Sequence, residues 1–372
     1  MKLDWELKEF EDCLEKVIYT NKIQRKDFFE VGNYPIISQE QDFINGYWNN
    51  TDDLFRVKKP IVIFGDHTQV LKYVDFDFVL GADGVKILQT KNSIDPRFFY
   101  YFLQNVNLGS LGYARHYRLL KEIEVSYPKS LPEQQRIVAI LDDAFAKIEK
   151  AKANAEQNLK NAKELFESYL QGVFENKGDD WEEKTLGEVC KISSKLIDPK
   201  ISEYQNLIHI GAGNIESKKG TLIDLKTAKE ENLISGKFLF DESMILYSKI
   251  RPYLMKVVNC EFQGLCSADI YPLVPIKEKL TKDFLYHLLL TKDFTDYAIL
   301  GSQRAGMPKV NREHLFAYKF ELPTIKEQKT IVQKLESLSD EIKKLETIYE
   351  QKIKDLEELK KSVLQKAFSG EF

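Results

Sequence analysis

Two stretches of the chain place apolar residues at alternating steps of three and four, which is the spacing of one helix face. The first covers residues 131–178 and the second covers residues 323–372. Such steps, kept over several heptads, are typical of the apolar seam of a coiled coil. Each stretch therefore predicts a helix of about 45 residues, or roughly 65 Å at 1.5 Å per residue. The predicted seam residues are Ile137, Leu141, Ile148, Leu159, Ile331, Leu335, Leu338, Ile342, Leu345, Ile353 and Leu356.

The two helical stretches also repeat each other in sequence. The segment LPEQQRIVAILDDAF begins at Leu131, and the segment LPTIKEQKTIVQKL begins at Leu322. The offset between Gln134 and Gln328 holds without a gap through both segments. Since one chain carries both copies, we expect them to pair with each other as antiparallel helices with internal pseudo-two-fold symmetry. The alternative is a homodimeric coiled coil, in which each seam packs against a second chain.

The remaining residues form two stretches of strand-rich character, residues 1–130 and 179–322. Short β-branched and aromatic runs, such as PIVIFG at Pro60 and MILY at Met244, predict strands. Each stretch then carries an aromatic-rich helix, DPRFFYYFLQN in the first and KDFLYHLLLTKDF in the second. The predicted fold is α+β, with two mixed α/β domains that alternate with the two long antiparallel helices along the chain.

The composition is that of a folded protein of 372 residues with a formal net charge of −4. This balance argues against a protein that coats nucleic acid through bulk charge, but it is compatible with a local basic surface. The four cysteines have no CxxC spacing, so we expect neither a zinc cluster nor a disulfide scaffold. No apolar run reaches the ~18 residues of a membrane helix, and the first residues lack the apolar core of a signal peptide. We therefore expect a cytoplasmic location.

The motifs of the common catalytic and metal sites are absent from the sequence. There is no GxxxxGK[ST] phosphate loop and no HExxH, and the segment GAGNIE lacks the third glycine of a dinucleotide fingerprint. His287 lies in an apolar helix, where a packed core residue is the better interpretation. Asp66, His67 and Asp83 are the residues that acid–base chemistry would use, although an aspartate beside glycine is more commonly a turn residue. The residues alone thus indicate no clear catalytic, metal or cofactor site on this chain.

The two globular stretches and the two repeated helices together resemble the specificity (S) subunits of Type I restriction–modification enzymes. The resemblance covers nearly the whole chain, and its most specific part is the repeated helix start, LPEQQRIVAILDDAF and LPTIKEQKTIV. The first globular stretch adds YPIISQ, INGYW, PIVIFGDHTQVLKYVDFDFVLGADGVKIL and GYARHYRLLKEIEV. The second follows the same plan in divergent form, with YSKIRPYLMKV where the first has FGDHTQVLKYV.

The resemblance implies a sequence-specific DNA-binding subunit with no catalytic activity of its own. Residues 1–130 and 179–322 would be two target-recognition domains, each reading a few base pairs of double-stranded DNA, mainly in the major groove. The helices, residues 131–178 and 323–372, would be a ruler that sets an unread spacer and a dock for two methyltransferase subunits. Those partners would bring S-adenosylmethionine and methylate adenine N6 on a flipped-out base. Restriction or translocase subunits would be further partners. Because the two domains differ, the implied target is bipartite and asymmetric.

Loops in both expected recognition domains mix small residues, amides, hydroxyls, basic residues and aromatics. Arginine and lysine donate to guanine, amides pair with adenine, and hydroxyls and backbone N–H groups bind phosphates. From the residues alone such loops also suit nucleotides, peptides or no ligand, and the resemblance favours DNA. The candidate DNA-binding residues of the first domain are Ser38, Gln39, His67, Thr68, Lys72, Arg115, His116 and Tyr117. Those of the second domain are Asn214, Ser248, Lys249, Arg251, Gln303, Arg304 and Lys309.

Two other classes of function stay open. A DNA endonuclease would use carboxylates of this chain and would cut DNA by itself with a divalent metal. A structural protein would use the coiled coil to dimerise and the globular stretches to bind protein. The internal duplication argues against the structural protein, because a dimer does not need it.

Overall fold

The computed structural model describes residues 4–82, 84–109, 112, 114–176, 178–193, 196–302 and 307–372. The chain forms two compact units. Unit 1 consists of Met1–Glu156 and Glu350–Phe372, and unit 2 consists of Gln157–Tyr349. Both divisions fall inside the long helices, so each unit contains part of each helix.

Unit 1 is built from short strands that form one two-stranded and two larger sheets. Strands β7, β6 and β9 form an antiparallel sheet. Strands β2, β8, β3 and β4 form a mixed sheet, in which β8 is parallel to β2 and β3, and β5 is paired to β8. The ladder of β1 and β10 leads directly into the first long helix. The strands are β1 Trp5–Glu9, β2 Lys22–Ile23, β3 Tyr34–Ile37, β4 Gly46–Trp48, β5 Leu54–Phe55, β6 Ile61–Gly65, β7 Leu71–Val74, β8 Phe78–Gly81, β9 Val85–Leu88 and β10 Glu124–Pro128. The helices are α1 Pro96–Asn105, α2 Tyr117–Leu120 and α3 Leu131–Glu175.

Helix α1 begins where the sequence predicts an aromatic helix. The Asp95 carboxylate accepts hydrogen bonds from the backbone N–H groups of Arg97 and Phe98, and Pro96 occupies the first helical position. Both features favour a helix start, since the first N–H groups have no partner inside the helix. Phe98 and Phe99 are fully buried, and each contributes about 1.5–3 kcal/mol through apolar burial. Helix α1 therefore anchors the core of unit 1.

Unit 2 follows a similar order of elements, with α4 and α6 as additional helices. Strands β12, β20, β17 and β18 form one antiparallel sheet, and β13, β16, β19, β14 and β15 form a mixed sheet. The ladder of β11 and β21 leads into the second long helix. The strands are β11 Glu182–Thr185, β12 Cys190–Ile192, β13 Leu196–Ile197, β14 Ile208–Ile210, β15 Lys226–Thr227, β16 Lys237–Phe240, β17 Ile245–Ser248, β18 Val257–Asn259, β19 Gly264–Cys266, β20 Ile270–Pro275 and β21 Lys319–Leu322. The helices are α4 Leu186–Val189, α5 Lys282–Leu288, α6 Lys292–Leu300, α7 Arg312–Phe316 and α8 Ile325–Ser369.

Within unit 1, the start of α3 packs against the end of α8. Glu149 pairs with Lys360, and Lys152 pairs with Glu357, each at 2.7 Å. The order of partners is reversed along the two helices, so the packing is antiparallel. Such exposed ion pairs add little stability, and the buried Leu141 of the same core contributes more.

Within unit 2, the end of α3 packs in the same core as the start of α8. Leu170 shares a cluster with Val332 and Leu335, all of them buried. The predicted α+β fold with two long antiparallel helices is confirmed, and the helices pair inside one chain. None of the helices in the described part of the chain combines the length and apolar character needed to span a bilayer.

Most, but not all, predicted seam residues face a partner. Ile137, Leu141, Ile148, Leu335 and Ile342 are buried, and Leu159, Ile331, Leu338, Ile353 and Leu356 are half-buried. Leu345 is a correction, because 39% of its surface is exposed. At 3.6 residues per turn the buried column drifts from a strict heptad, so at this turn the half-buried residue is Glu346. Buried helix residues outside the predicted seam include Phe145, Leu170 and Val332.

Candidate nucleic-acid interface

In unit 1, three loops meet at Asp66, the residue that follows β6. Its backbone N–H donates to the Gly84 carbonyl, and its own carbonyl accepts from the His116 N–H, both at 2.7 Å. Its carboxylate accepts from the Tyr117 N–H at 2.8 Å. Asp66 is buried. The structure therefore explains Asp66 as a residue that joins loops, in line with the turn interpretation, while Asp83 lies outside the described residues.

A fourth loop joins this cluster through Gln39. The Gln39 Oε1 accepts from the His67 N–H at 3.1 Å, and its carbonyl accepts from the Thr68 hydroxyl at 2.6 Å. The space above Gly84, which has a φ of +74°, is filled by the Gln39 amide; a Cβ there would lie 2.3 Å from Oε1. The sequence-predicted Gln39, His67, Thr68 and Tyr117 are thus brought together around Asp66. Gln39 bonds to His67 and Thr68, and Tyr117 bonds to Asp66 itself.

Three predicted contacts of unit 1 are corrected, because the structure buries them. Lys72 is 3% exposed, since β7 alternates and Lys72 shares its buried face with Val74. The Lys72 ammonium donates to the carbonyls of Asp42 and Phe43 and to the Asn45 side chain, and burial lowers its pKa to about 8. Lys72 therefore supports the loop of residues 38–45 from below.

Ser38 and His116 have similar supporting positions. Ser38 is 3% exposed, and its hydroxyl accepts from the Glu40 N–H at 3.1 Å. His116 is 2% exposed, with Nδ1 at 3.1 Å from the Asp66 carbonyl oxygen. Both side chains are buried and bond to backbone atoms of the loops.

The outer edge of the unit 1 loops is basic. Arg115, which the sequence predicts, is exposed, and so is Arg118, which it does not. Lys86 lies 5.0 Å from the centre of the Tyr117 ring and 3.9 Å from the Asp66 carboxylate. Arg118 could have been found from the sequence, because it is the last residue of the segment GYARHYR. No feature of the sequence indicated Lys86, which lies on β9. Arg115 and Arg118 thus place two exposed cations on the loop that leads into α2.

Unit 2 has a similar meeting point of loops at Lys249, the residue that follows β17. We call the meeting point at Asp66 or Lys249 the joint of its unit. Its N–H donates to the Asp269 carbonyl at 3.0 Å, and its carbonyl accepts from the Val310 N–H at 2.8 Å. The Arg251 N–H donates to the Pro308 carbonyl at 2.9 Å. The two backbone bonds of Lys249 reproduce the two backbone bonds of Asp66, so the loops around these two residues are equivalent. Sequence-predicted Lys249, Arg251 and Lys309 come together here.

The joint of unit 2 carries a cluster of cations. Burial lowers the pKa of Lys249, and the charges of Lys309 and Arg312 lower it further. Of the nearby acids, Asp269 lies 3.1 Å from the Lys309 ammonium. The sequence missed Arg312, which is exposed at the start of α7. A group of cations held this close favours an anion such as a phosphate, or the acceptor atoms of guanine.

Arg251 is exposed and has a left-handed backbone, with φ 49°. Met255, on the other side of the turn Pro252–Leu254, has φ 47°. Non-glycine residues in this region cost about 1–3 kcal/mol and cluster at functional sites. The turn, and Arg251 with it, closely follows the end of β17.

Two other predicted contacts of unit 2 have roles within the protein: Asn214 is half-buried and hydrogen-bonded, and Ser248 is a correction because it is buried. The Asn214 amide accepts from the Gly211 N–H and donates to the carbonyls of Ile223 and Asp224, so it closes a turn. Ser248 is 1% exposed, because it lies on the wholly buried β17. Gln303 and Arg304 lie outside the described residues.

Other chemistry in the described ranges is structural. No group of three His, Cys, Asp or Glu side chains there could hold a metal ion. All four cysteines are buried as free thiols, and burial raises the pKa of Cys13 to about 11 and those of Cys190, Cys260 and Cys266 to about 12. Such thiols stay protonated at neutral pH and are poor nucleophiles.

Comparison with known proteins gives consistent matches. The family model for the Type I restriction modification DNA specificity domain matches residues 2–158 and 178–355. The chain is 32% identical over 285 residues to the Type I restriction enzyme EcoDI specificity subunit of Escherichia coli, a match that covers 68% of this chain and 63% of that protein. It is 26% identical over 340 residues to the EcoR124I/EcoR124II specificity subunit of the same organism, covering 84% of this chain and 81% of that protein. The chain thus spans less than two thirds of the first relative.

Solved structures share the fold. A chain from a study of complex assembly and conformational transition of the type I R-M system superposes with a TM-score of 0.73 at 16% identity, covering 100% of this chain and 99% of that chain. The HsdS subunit from Thermoanaerobacter tengcongensis superposes with a TM-score of 0.57, also at 16% identity, covering 100% and 98%.

Proposed function

Because the chain belongs to the family of Type I restriction–modification specificity subunits, we propose that it reads a bipartite, asymmetric target in double-stranded DNA. Each unit reads one half-site with the loops around Asp66 or Lys249. The observation that carries this proposal is the repeated joint: one backbone arrangement occurs twice and presents different side chains. Two loop arrangements with the same backbone and different side chains suit two half-sites of different sequence.

The charges of the joints support the proposal. The chain has a net charge of −4, yet the described loops place Arg115 and Arg118 on unit 1 and Arg251, Lys309 and Arg312 on unit 2. Local cations steer and bind the phosphate backbone even when the protein as a whole is acidic. Arginine also pairs bidentately with guanine in the major groove, so the same residues suit base reading.

In this proposal, the chain has no catalytic activity of its own. The long helices α3 and α8, each of 45 residues, are a ruler for the spacer and a dock for two methyltransferase subunits. Those partners bind S-adenosylmethionine and methylate adenine N6, and restriction or translocase subunits join the same cytoplasmic complex. The name given to the neighbouring solved structure, which refers to complex assembly of a type I R-M system, is in line with such partners.

Long-read methylation sequencing of the source cell, with and without the gene, tests the proposal. We expect deletion to abolish N6-methyladenine at a single two-part motif with an unread gap. An unchanged methylome in a cell that expresses the protein would contradict the proposal. Cutting of DNA by the purified chain with a divalent metal would instead support an endonuclease.

A further inference from the structure

The repeated Glu-Gln of the two helix starts contains a fully buried polar residue in each unit. Gln134 and Gln328 both have an exposed fraction of 0%. Each lies in the first turn of its long helix, α3 or α8. A glutamine without solvent needs partners for its carbonyl oxygen and its amide hydrogens, so the contacts of these two side chains show what they hold.

In unit 1, the Gln134 side chain joins three segments. Its Oε1 accepts from the N–H of Asp95, the cap of α1, at 2.8 Å. Its Nε2 donates to the carbonyls of Ser93 at 2.9 Å and of Pro128 at 2.7 Å. The first turn of α3 is thereby tied to the start of the aromatic helix and to the end of β10.

In unit 2, Gln328 makes the same three contacts. Its Oε1 accepts from the N–H of Thr281, the cap of α5, at 2.8 Å. Its Nε2 donates to the carbonyls of Lys279 at 2.8 Å and of Pro323 at 2.9 Å. Both donor hydrogens and the acceptor are used, so the contact is directional in a way that apolar packing at this position is not.

We infer that Gln134 and Gln328 are positioning residues, here called clamps. Each sets the angle between the strand-rich part of its unit, here called the recognition module, and the long helix that begins at the clamp. The inference rests on the proposed function, in which the helices act as the ruler. A module that tilts on its helix moves its reading loops along the duplex without changing them. Loss of the clamp therefore relaxes the spacer and leaves the bases of both half-sites unchanged.

The chain supplies matched controls within two helical turns of each buried glutamine. Gln135 and Gln333 are glutamines of the same helices with exposed side chains. The variants Gln134→Leu and Gln328→Leu remove the clamps, whereas Gln135→Leu and Gln333→Leu make the same chemical change in solvent. Where a leucine variant does not fold, Gln134→Asn or Gln328→Asn shortens the side chain while keeping the amide.

A distance measurement on the purified chain tests the clamp directly. Lys22 and Lys147 are exposed residues of unit 1, one on β2 and the other on α3, and the native cysteines are buried. Spin labels on Lys22→Cys and Lys147→Cys should give a narrow distance distribution that broadens with Gln134→Leu and stays narrow with Gln135→Leu. An unchanged distribution in folded Gln134→Leu or Gln134→Asn protein would overturn the inference.

Methylation sequencing of cells with the same variants tests the consequence. We expect methylation at targets with a spacer one base pair longer or shorter to rise about tenfold, because one buried hydrogen bond changes an equilibrium by about that factor. Folded clamp variants that keep the native spacer, or that change the half-site bases instead, would contradict the inference. Absence of any two-part motif in the wild type would disprove the proposed function, and the spin-label distances would still decide the role of Gln134.

Discussion

Asp66 and Lys249 occupy the same backbone position in their units but carry opposite charges. The equivalent hydrogen bonds of their N–H and carbonyl groups place both residues at the meeting point of the loops. Asp66 is buried and holds its loops together by hydrogen bonds, while Lys249 belongs to a group of cations with Lys309 and Arg312. One substitution at a shared position therefore changes the local potential that a duplex meets, without changing the frame.

Arg251 is the residue of unit 2 for which the structure predicts opposite effects of one substitution on DNA affinity and on stability. We expect Arg251→Gly to lower target affinity by about 1–3 kcal/mol. Because glycine tolerates φ 49°, the same change should keep or raise the free energy of unfolding.

Fluorescence anisotropy of the assembled complex, on duplexes altered in one half-site at a time, measures this effect. Relaxed discrimination at a single base position would identify a base contact, and a uniform loss on all sequences would identify a phosphate contact. Unchanged affinity would remove Arg251 from the interface.

His287 gives unit 2 a defined acid sensitivity. Its side chain is buried on α5, and burial lowers its pKa from 6.5 to about 4. Below pH 6.5 the unfolded chain takes up a proton that the folded chain resists, so stability falls between pH 6.5 and about 4.

Urea unfolding at pH 7.5, 6.5 and 5 measures this effect. The free energy of unfolding of His287→Leu should fall less between pH 6.5 and 5 than that of the wild type, with parallel behaviour between pH 7.5 and 6.5. Equal pH dependence of the two proteins in the acid range would show that His287 is protonated in the fold.

At the scale of elements, periodicity predicted the helices well and their facing residues less well. The seam around Leu141 and Leu335 follows from apolar spacing, because the strongest burial coincides with the strongest repeat. Leu345 does not, since spacing cannot show how far a helix drifts from a strict heptad. The same limit applies to Lys72, whose direction depends on the face of β7 that the sheet buries. The two clamps, Gln134 and Gln328, were visible as a repeat, but only tertiary contacts reveal their partners.

The corrected seam leads to a paired mutational test. Leu335 is fully buried, whereas Leu345 is 39% exposed on the same helix. We expect Leu335→Ala to lower the free energy of unfolding by about 2–5 kcal/mol, and Leu345→Ala to change it by less than about 1 kcal/mol. Urea unfolding of both variants measures the difference. Similar losses would restore Leu345 to the seam.

At the scale of the whole molecule, unit 1 is made from two distant parts of the chain. Residues 350–372 complete its core, where Phe368 contacts Phe98 and Phe102 with ring centres 5.2 and 5.7 Å apart. Unit 2 is made from one continuous stretch, residues 157–349. The two recognition modules therefore differ in how they depend on the rest of the chain.

Removal of residues 350–372 should separate the two units in stability. A chain that stops at Tyr349 loses Leu364, Ala367 and Phe368 from the core of unit 1, so we expect amide hydrogen exchange to accelerate throughout α1 and its sheet. The amides of β17 and β20 in unit 2 should keep their protection. Equal acceleration in both units would show that they fold as one cooperative body.

The split composition of unit 1 also imposes an order of events on the ribosome. Residues 1–156 emerge first, but their core stays incomplete until residues 350–372 have been translated. At ~5–20 residues per second this delay is about 10 to 40 seconds, during which unit 2 can fold completely. Of the two units, unit 1 is thus begun first and completed last, and the aromatic residues of its core stay uncovered during the delay.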